Sequence, residues 1–231
     1  MTVTTDRPPP QTPTGPLTRR WLMPAGAVVL VAALTWIVAF SSLLGVGSVD
    51  VTGTRTLSAE QIRQAAAIKP GTPLIRLDTS AVQRRVEALP EVRSATVTTS
   101  YPSTVGITII ERIAVGYRSA GGVVTLLDAG GVAFRTASTA PRGLPELSAA
   151  DVALGPAAAA VAGSLSAAVA GQVRTVTAGS SESITLTLRD GRTVLWGGTD
   201  RNADKAKLLP ALLGQPGRYF DVSDPDTVIS R

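Results

Sequence analysis

Histidine and cysteine are both absent from the 231-residue sequence. With them go thiolate and imidazole metal sites, cysteine nucleophiles, disulfides and any triad built on a histidine base. Lysine, carboxylate and hydroxyl remain. The lysines are Lys69, Lys205 and Lys207. A serine–lysine hydrolase would need one of them desolvated, so that its amine is neutral and reactive. All three stand in polar contexts, and the sequence predicts neither burial nor a lowered pKa. Asp200 and Asp204 lie one helical turn apart. They read as charges suited to a helix N-terminus rather than as a catalytic carboxylate pair. Asp221, Asp224 and Asp226 invite comparison with a calcium loop, but the glycine and distal glutamate such a loop needs do not follow. The paired glycines at 121–122, 130–131 and 197–198 lack the context of a phosphate cradle and read as turns. The sequence predicts no enzyme, no metal and no cofactor.

The remaining chemistry is binding by the main chain. Tyr219–Phe220–Asp221–Val222–Ser223 reads as a terminal strand. At a sheet edge such a strand offers unpaired N–H and C=O groups, to which a partner segment adds with alternate side chains giving specificity. Tyr219 and Phe220 stand side by side and so point to opposite faces. One ring can fill the core while the other meets a partner; both rings packing within the domain is the other reading.

The net charge is +5 and the pI about 10.2, but no run of five like charges occurs and aromatics are only 4%. A nucleic-acid surface would cluster its charge and offer stacking rings, so nucleic acid is not an expected partner. Mean hydropathy is +0.23, and its source is one segment. From Trp21 to Val49 there is no charged residue. That exceeds the roughly 20 residues a bilayer-crossing helix needs, and the sequence predicts a transmembrane helix over 21–45. Arg7, Arg19 and Arg20 precede it and Asp50 follows. The excess of positive charge puts residues 1–20 in the cytoplasm and the rest outside. A cleaved signal peptide is the competing reading, with Ala39–Phe40–Ser41 as the small-x-small site, but its apolar core would be shorter. The Pro/Thr-rich residues 1–20 predict a disordered tail.

Two blocks follow. In the first, 46–114, Val46–Val51 alternates as a strand. Ser58 and Gln61 make a capping box, with Leu57 and Ile62 as a hydrophobic staple, opening a helix to about Ala67. Asp78 or Thr79 caps a second helix with an apolar stripe at Val82, Val86 and Leu89. Arg84 and Arg85 face away from that stripe, either as a solvated face or as a secondary binding surface. The stretches 92–99 and 105–111 are alternating strands joined through Tyr101–Pro102–Ser103.

In the second block, 115–231, strands are predicted at 123–127 and 132–134 around an Asp-Ala-Gly-Gly turn, with an extended connector at Leu144–Leu147. A single helix is expected from Pro156 to Ala170, with Val161, Leu165 and Val169 on one stripe. Strands follow at 173–176, 184–188 and 193–196, the last two joined by an Asp190–Gly191 hairpin. A helix runs from Asp200 to Leu213, which Pro210 should kink or end. Terminal strands lie at 218–223 and 227–230.

A β-α-α-β-β order in about seventy residues after a membrane segment resembles the POTRA domain. The residues that carry the resemblance are Val49–Gly53, Gly71–Leu74, Leu89–Val92, Tyr101–Pro102 and Glu111–Arg112. The whole plan resembles the bacterial cell-division family FtsQ, called DivIB in some lineages. The family pattern after the last POTRA strand is Glu-Arg-x-Pro-Val-Ala. Here Ala114 and Gly116 replace its Pro and Ala, which implies a less rigid joint. The expected class is therefore α+β: one transmembrane helix, a POTRA domain and a second β-rich α+β domain. The resemblance implies a non-enzymatic division scaffold at the septum, in the plasma membrane with its N-terminus cytoplasmic. It also implies that Tyr219, Phe220, Asp221, Val222 and Ser223 dock a small FtsB-type partner by strand addition. FtsL-type and septal-synthase proteins would be further partners, and the bilayer would hold residues 21–45. A POTRA-type transport or outer-membrane assembly module is the alternative, but too little chain follows residue 116 for a barrel.

Overall fold

The structure, a computed structural model of the chain, describes residues 28–31, 45–227 and the backbone of 229–230. The predicted span at 21–45 and the tail at 1–20 fall outside these residues, save for Val28–Val31, a helical turn with exposed side chains. Among the described residues no helix is long and apolar enough to cross a membrane.

The first unit comprises β1 (Ser48–Thr52), α1 (Ala59–Ala66), α2 (Thr79–Glu87), β2 (Val92–Ser100) and β3 (Thr104–Glu111). Its sheet runs β1–β3–β2, with β1 parallel and β2 antiparallel to the central β3. Both helices start where the sequence places them. Ser58 and Gln61 cap each other's amides, and the Asp78 side chain accepts from the Ala81 amide at 2.9 Å. Ile62 and Ala66 of α1 and Val82 and Val86 of α2 pack on Val92, Ala95, Val105, Ile107 and Ile109 of the sheet. Burying each larger aliphatic contributes roughly 1.5–3 kcal/mol. The opposite face is lined with hydroxyls, paired across strands at Ser48–Thr104 and Thr52–Thr108.

The second unit holds nine strands: β4 (Gly116–Ala120), β5 (Val123–Leu127), β6 (Ala133–Ala137), β7 (Glu146–Ala149), β8 (Val173–Ser180), β9 (Ser183–Leu188), β10 (Thr193–Gly197), β11 (Tyr219–Asp221) and β12 (Ile229–Ser230). The sheet order is β12-β11-β10-β9-β8-β7-β4-β5-β6. The helices α3 (Gly155–Ser164), α4 (Ala167–Ala170) and α5 (Asn202–Leu213) accompany it, and its core includes Trp196, Phe220, Ile184, Leu186, Leu188 and Leu209.

Three expectations are corrected here. The single helix over 156–170 is two, because Leu165 is extended and the Ser166 hydroxyl caps a new start at the Val169 amide. Pro210 sits inside α5 rather than ending it. Leu209 is fully buried beside it and Leu212 and Leu213 pack on the same core, so tertiary burial overrides local propensity. The connector at 144–147 runs into a real strand, β7 (Glu146–Ala149), which is parallel to β8 over four residues.

Candidate partner-docking edge

The second sheet ends in a stack built on β10. Trp196 of β10 is fully buried, and its indole N–H donates to Asn202 Oδ1 at 2.7 Å. Lys205, one turn along α5, donates from Nζ to the carbonyls of Trp196 and Gly198 at 3.1 and 3.0 Å. Lys205 is 2% exposed, and burial pushes its ammonium pKa down against the pull of Asp200 and Glu182. This corrects the expectation of an exposed lysine in a polar context. The helix that carries it was legible; the face of that helix turned inward was not, because alanine and lysine alternate there. Its two carbonyl bonds make it a peg between α5 and β10.

β11 lies parallel to β10, with Tyr219, Phe220 and Asp221 opposite Thr193, Val194 and Leu195. The Val222 amide donates to the Leu195 carbonyl at 2.9 Å, and Val222 itself is buried. Gly197 makes this approach possible: its φ is +76°, and a Cβ there would sit within 2.7 Å of the Ser223 side chain. The two rings part as strand alternation requires. Phe220 is fully buried with the Arg192 guanidinium 5.8 Å from its ring centre, and Tyr219 stays partly exposed. Asp221 accepts from the amide and hydroxyl of Ser223 at 3.0 and 2.6 Å. The five residues singled out by sequence are thus brought together, but β11 is only three residues long and is not outermost. The chain returns as β12, antiparallel, with Ser230 opposite Phe220 and Ile229 opposite Asp221. The return is tethered: the Arg201 guanidinium donates to both oxygens of Asp226 at 2.7 and 3.2 Å, and Asp224 accepts from the Asp226 amide. Each of the three aspartates in this segment therefore has a partner within the chain.

Both outer strands of the first sheet are treated differently. On β1, Arg63 Nε donates to the outward Val49 carbonyl at 3.1 Å. On β2, the Glu87 carboxylate accepts from the outward Ala95 amide at 3.0 Å, with Gln83 bonded to the same oxygen. The Ala95 and Gln83 bonds hold the Glu87 pKa below its usual value. Among the described residues no side chain occupies the outward main chain of β12. Arg85 is likewise committed: two of its nitrogens donate to the Ala66 carbonyl at 2.9 and 2.7 Å, closing the C-terminus of α1. Both arginines of the predicted pair are exposed, and the Arg84 side chain forms no hydrogen bond or ion pair among the described residues.

At the joint between the units, Arg112 bridges to the second unit and Glu111 beside it fastens the first unit to itself. Burial raises the Glu111 pKa, but the Arg55 amide, the Thr56 hydroxyl and the amides of Leu57 and Thr56 outweigh it and hold the carboxyl at about 2. Glu111 thereby pins the loop between β1 and α1. Arg112 donates to the Pro90 carbonyl at 3.1 Å and to Asp128 at 2.5 Å across the joint. Asp128 also accepts from the Gly130 and Val132 amides, so the Asp-Ala-Gly-Gly turn doubles as the receiver of the clamp. A second ion pair, Arg135 with Glu91 at 3.8 Å, spans the same joint. Gly116 sits where a Cβ would fall within 2.6–2.9 Å of the Leu147 side chain. The glycine that implied a loose joint is thus a packing requirement.

The family model described as "POTRA domain, FtsQ-type" matches residues 44–112, and that described as "Cell division protein FtsQ/DivIB, C-terminal" matches 117–224. The chain is 43% identical over 204 residues to the cell division protein FtsQ of Mycolicibacterium smegmatis, covering 86% of this chain and 60% of that one. It is 37% identical over 225 residues to the cell division protein FtsQ of Streptomyces venezuelae, covering 91% and 83%. This chain belongs to the FtsQ/DivIB family. It spans less than two thirds of the length of the mycobacterial relative. A solved extracytoplasmic domain of DivIB from Geobacillus stearothermophilus is similar over 45% of this chain and 92% of its own, at 21% identity and a TM-score of 0.37. In FtsQ/DivIB terms the first unit is the POTRA domain, and of the pair Glu111–Arg112, on which the resemblance partly rested, Arg112 is the clamp to the C-terminal domain.

Proposed function

We propose that the chain is a non-enzymatic scaffold of bacterial cell division. Residues 21–45 cross the plasma membrane once, with the N-terminus cytoplasmic, and the two β-rich domains stand outside at the division septum. The C-terminal domain captures a small FtsB-type partner as an added strand, and FtsL-type and septal-synthase proteins assemble on that complex. The observation that carries this reading is the outermost strand pair. β11 and β12 close the sheet with Phe220 locked in the core and Tyr219 partly exposed, while the POTRA strands have side chains bonded to their outward main chain. A partner strand on β12 completes a hydrogen-bond row, and Tyr219 gives it an aromatic contact. Asp221, Val222 and Ser223 position that pair from within the fold.

A fluorescent fusion of the full chain tests the role, and a midcell band is expected; a uniform membrane signal contradicts it. Co-purification with an FtsB-type protein tests the site. Tyr219→Ala should reduce partner recovery several-fold without unfolding the domain, since its ring lies outside the core. Recovery at the wild-type level removes Tyr219 from the interface.

A further inference from the structure

The nine-stranded sheet is interrupted. β4 pairs with β5 over five residues, and β7 pairs with β8 over four. Between β4 and β7 the parallel ladder holds at one rung, Tyr117 opposite Glu146, where the Tyr117 amide donates to the Pro145 carbonyl at 3.1 Å. The strands then part. Main-chain groups alternate sides along a strand. Tyr117 faces β7, so Ser119 turns its N–H and C=O the same way. The Ala150 amide goes to Ala178 of β8, so Ala149 turns its own groups toward β4. These are the groups a continued ladder would join, and the register ends before they meet.

The gap opens into a cavity of about 450 Å³, within the range of ligand-binding pockets. Leu127, Leu147 and Ala158 line it and are buried. Arg118, Asp151 and Val152 also border it, the Asp151 carboxylate accepting from the Ala153 amide at 2.9 Å. Val152 is 84% exposed, the most of any large aliphatic side chain described. Arg118 is exposed and forms no ion pair among the described residues. Main-chain groups facing a gap, an apolar floor and a free cation together match an extended peptide better than a compact ligand. The groups facing the gap supply backbone pairing, the floor takes alternate side chains, and the cation selects charge.

We propose that the split between β4 and β7 is a second strand-acceptor slot, taking an extended segment of another polypeptide that is apolar where it faces Leu127 and Leu147 and carries a carboxylate for Arg118. Four strands separate β7 from β12 in the sheet. The slot is therefore independent of the terminal edge, and one domain can hold two segments at once.

The test uses the full chain in detergent micelles and a fluorescein-labelled nine-residue peptide of alternating valine and threonine with a central glutamate. Fluorescence anisotropy should show saturable binding. Ser119→Pro removes the amide aimed at the gap while leaving the β4–β5 rungs at Arg118 and Ala120, and should weaken binding at least tenfold. Arg118→Glu should weaken it comparably and favour a peptide with lysine in place of the glutamate. Val152→Glu, at an open surface position, gives a reading independent of any misfolding in β4 and should also weaken the glutamate peptide. Tyr219→Ala should leave binding unchanged. The proposal is overturned by no saturable binding or by affinity unchanged in the slot variants. Loss with Tyr219→Ala, or sedimentation showing self-association in place of peptide uptake, overturns it equally.

Discussion

The two β-domains handle the same liability in opposite ways. A sheet edge is a row of unpaired donors and acceptors that will pair with whatever strand arrives. The POTRA sheet answers with its own helices: Arg63 of α1 covers the Val49 carbonyl, and Glu87 of α2 covers the Ala95 amide. Each plug is a long side chain on the helix next to the edge it blocks. The C-terminal sheet instead closes with a two-residue strand carrying no such plug among the described residues, laid over a β11 whose alternate side chain fills the core. On the function proposed above, the contrast gives the domains different work: the POTRA edges are covered, with Arg112 holding the joint, and the terminal edge of the C-terminal domain is left able to pair.

The largest expected effect separates the two cores. Phe220 is wholly buried in the C-terminal core, so Phe220→Ala should cost about 3–5 kcal/mol there. Hydrogen exchange should show lost protection in β8–β11 and none in β1–β3. Lost protection in both sheets would mean that the domains fold as one unit and that the contrast is superficial.

Next is the carboxylate that fastens POTRA to itself. The Glu111 carboxyl sits at about 2 when folded, against roughly 4.3 in an unfolded chain. A depressed folded pKa gives stability that is present above the unfolded value and lost as pH falls through the folded one. POTRA should therefore lose on the order of 2–3 kcal/mol between about pH 5 and pH 2. Glu111→Gln should start less stable at pH 7 and show a flatter profile, read by thermal unfolding across pH. Equal slopes for the two proteins would remove Glu111 as the source.

The smallest effect concerns the return of β12. Arg201 and Asp226 are exposed, and Arg201→Ala should leave global stability unchanged while speeding amide exchange at Ile229 and Ser230. Unchanged exchange at both would show that the return is held by its own turn.

Much of this was legible in the chain. The capping box at Ser58 and Gln61, the cap at Asp78 and the alternation at 92–99, 105–111 and 184–188 announce their elements, because each is a local rule satisfied locally. That the rings of Tyr219 and Phe220 point to opposite faces likewise follows from alternation; that Phe220 is the buried one does not. The failures share a cause of the opposite kind. β7 is four residues after a proline and exists because β8 pairs with it. Lys205 reads as a polar helix residue and is buried because two carbonyls at the end of β10 receive it. The edge plugs Arg63 and Glu87 and the gap beside β7 depend on which elements pack together, and no periodicity reveals them.

The central claim is that partner strands enter at the terminal pair and not at the POTRA edges. The absence of histidine and cysteine leaves the chain clean for site-specific labelling, and photo-crosslinking in dividing cells tests it directly. Place p-benzoylphenylalanine in turn at Tyr219, Ile229, Val49 and Val97 of the full chain. Adducts with an FtsB-type protein are predicted from Tyr219 and Ile229 alone. Adducts from Val49 or Val97, with none from the terminal strands, would contradict the account.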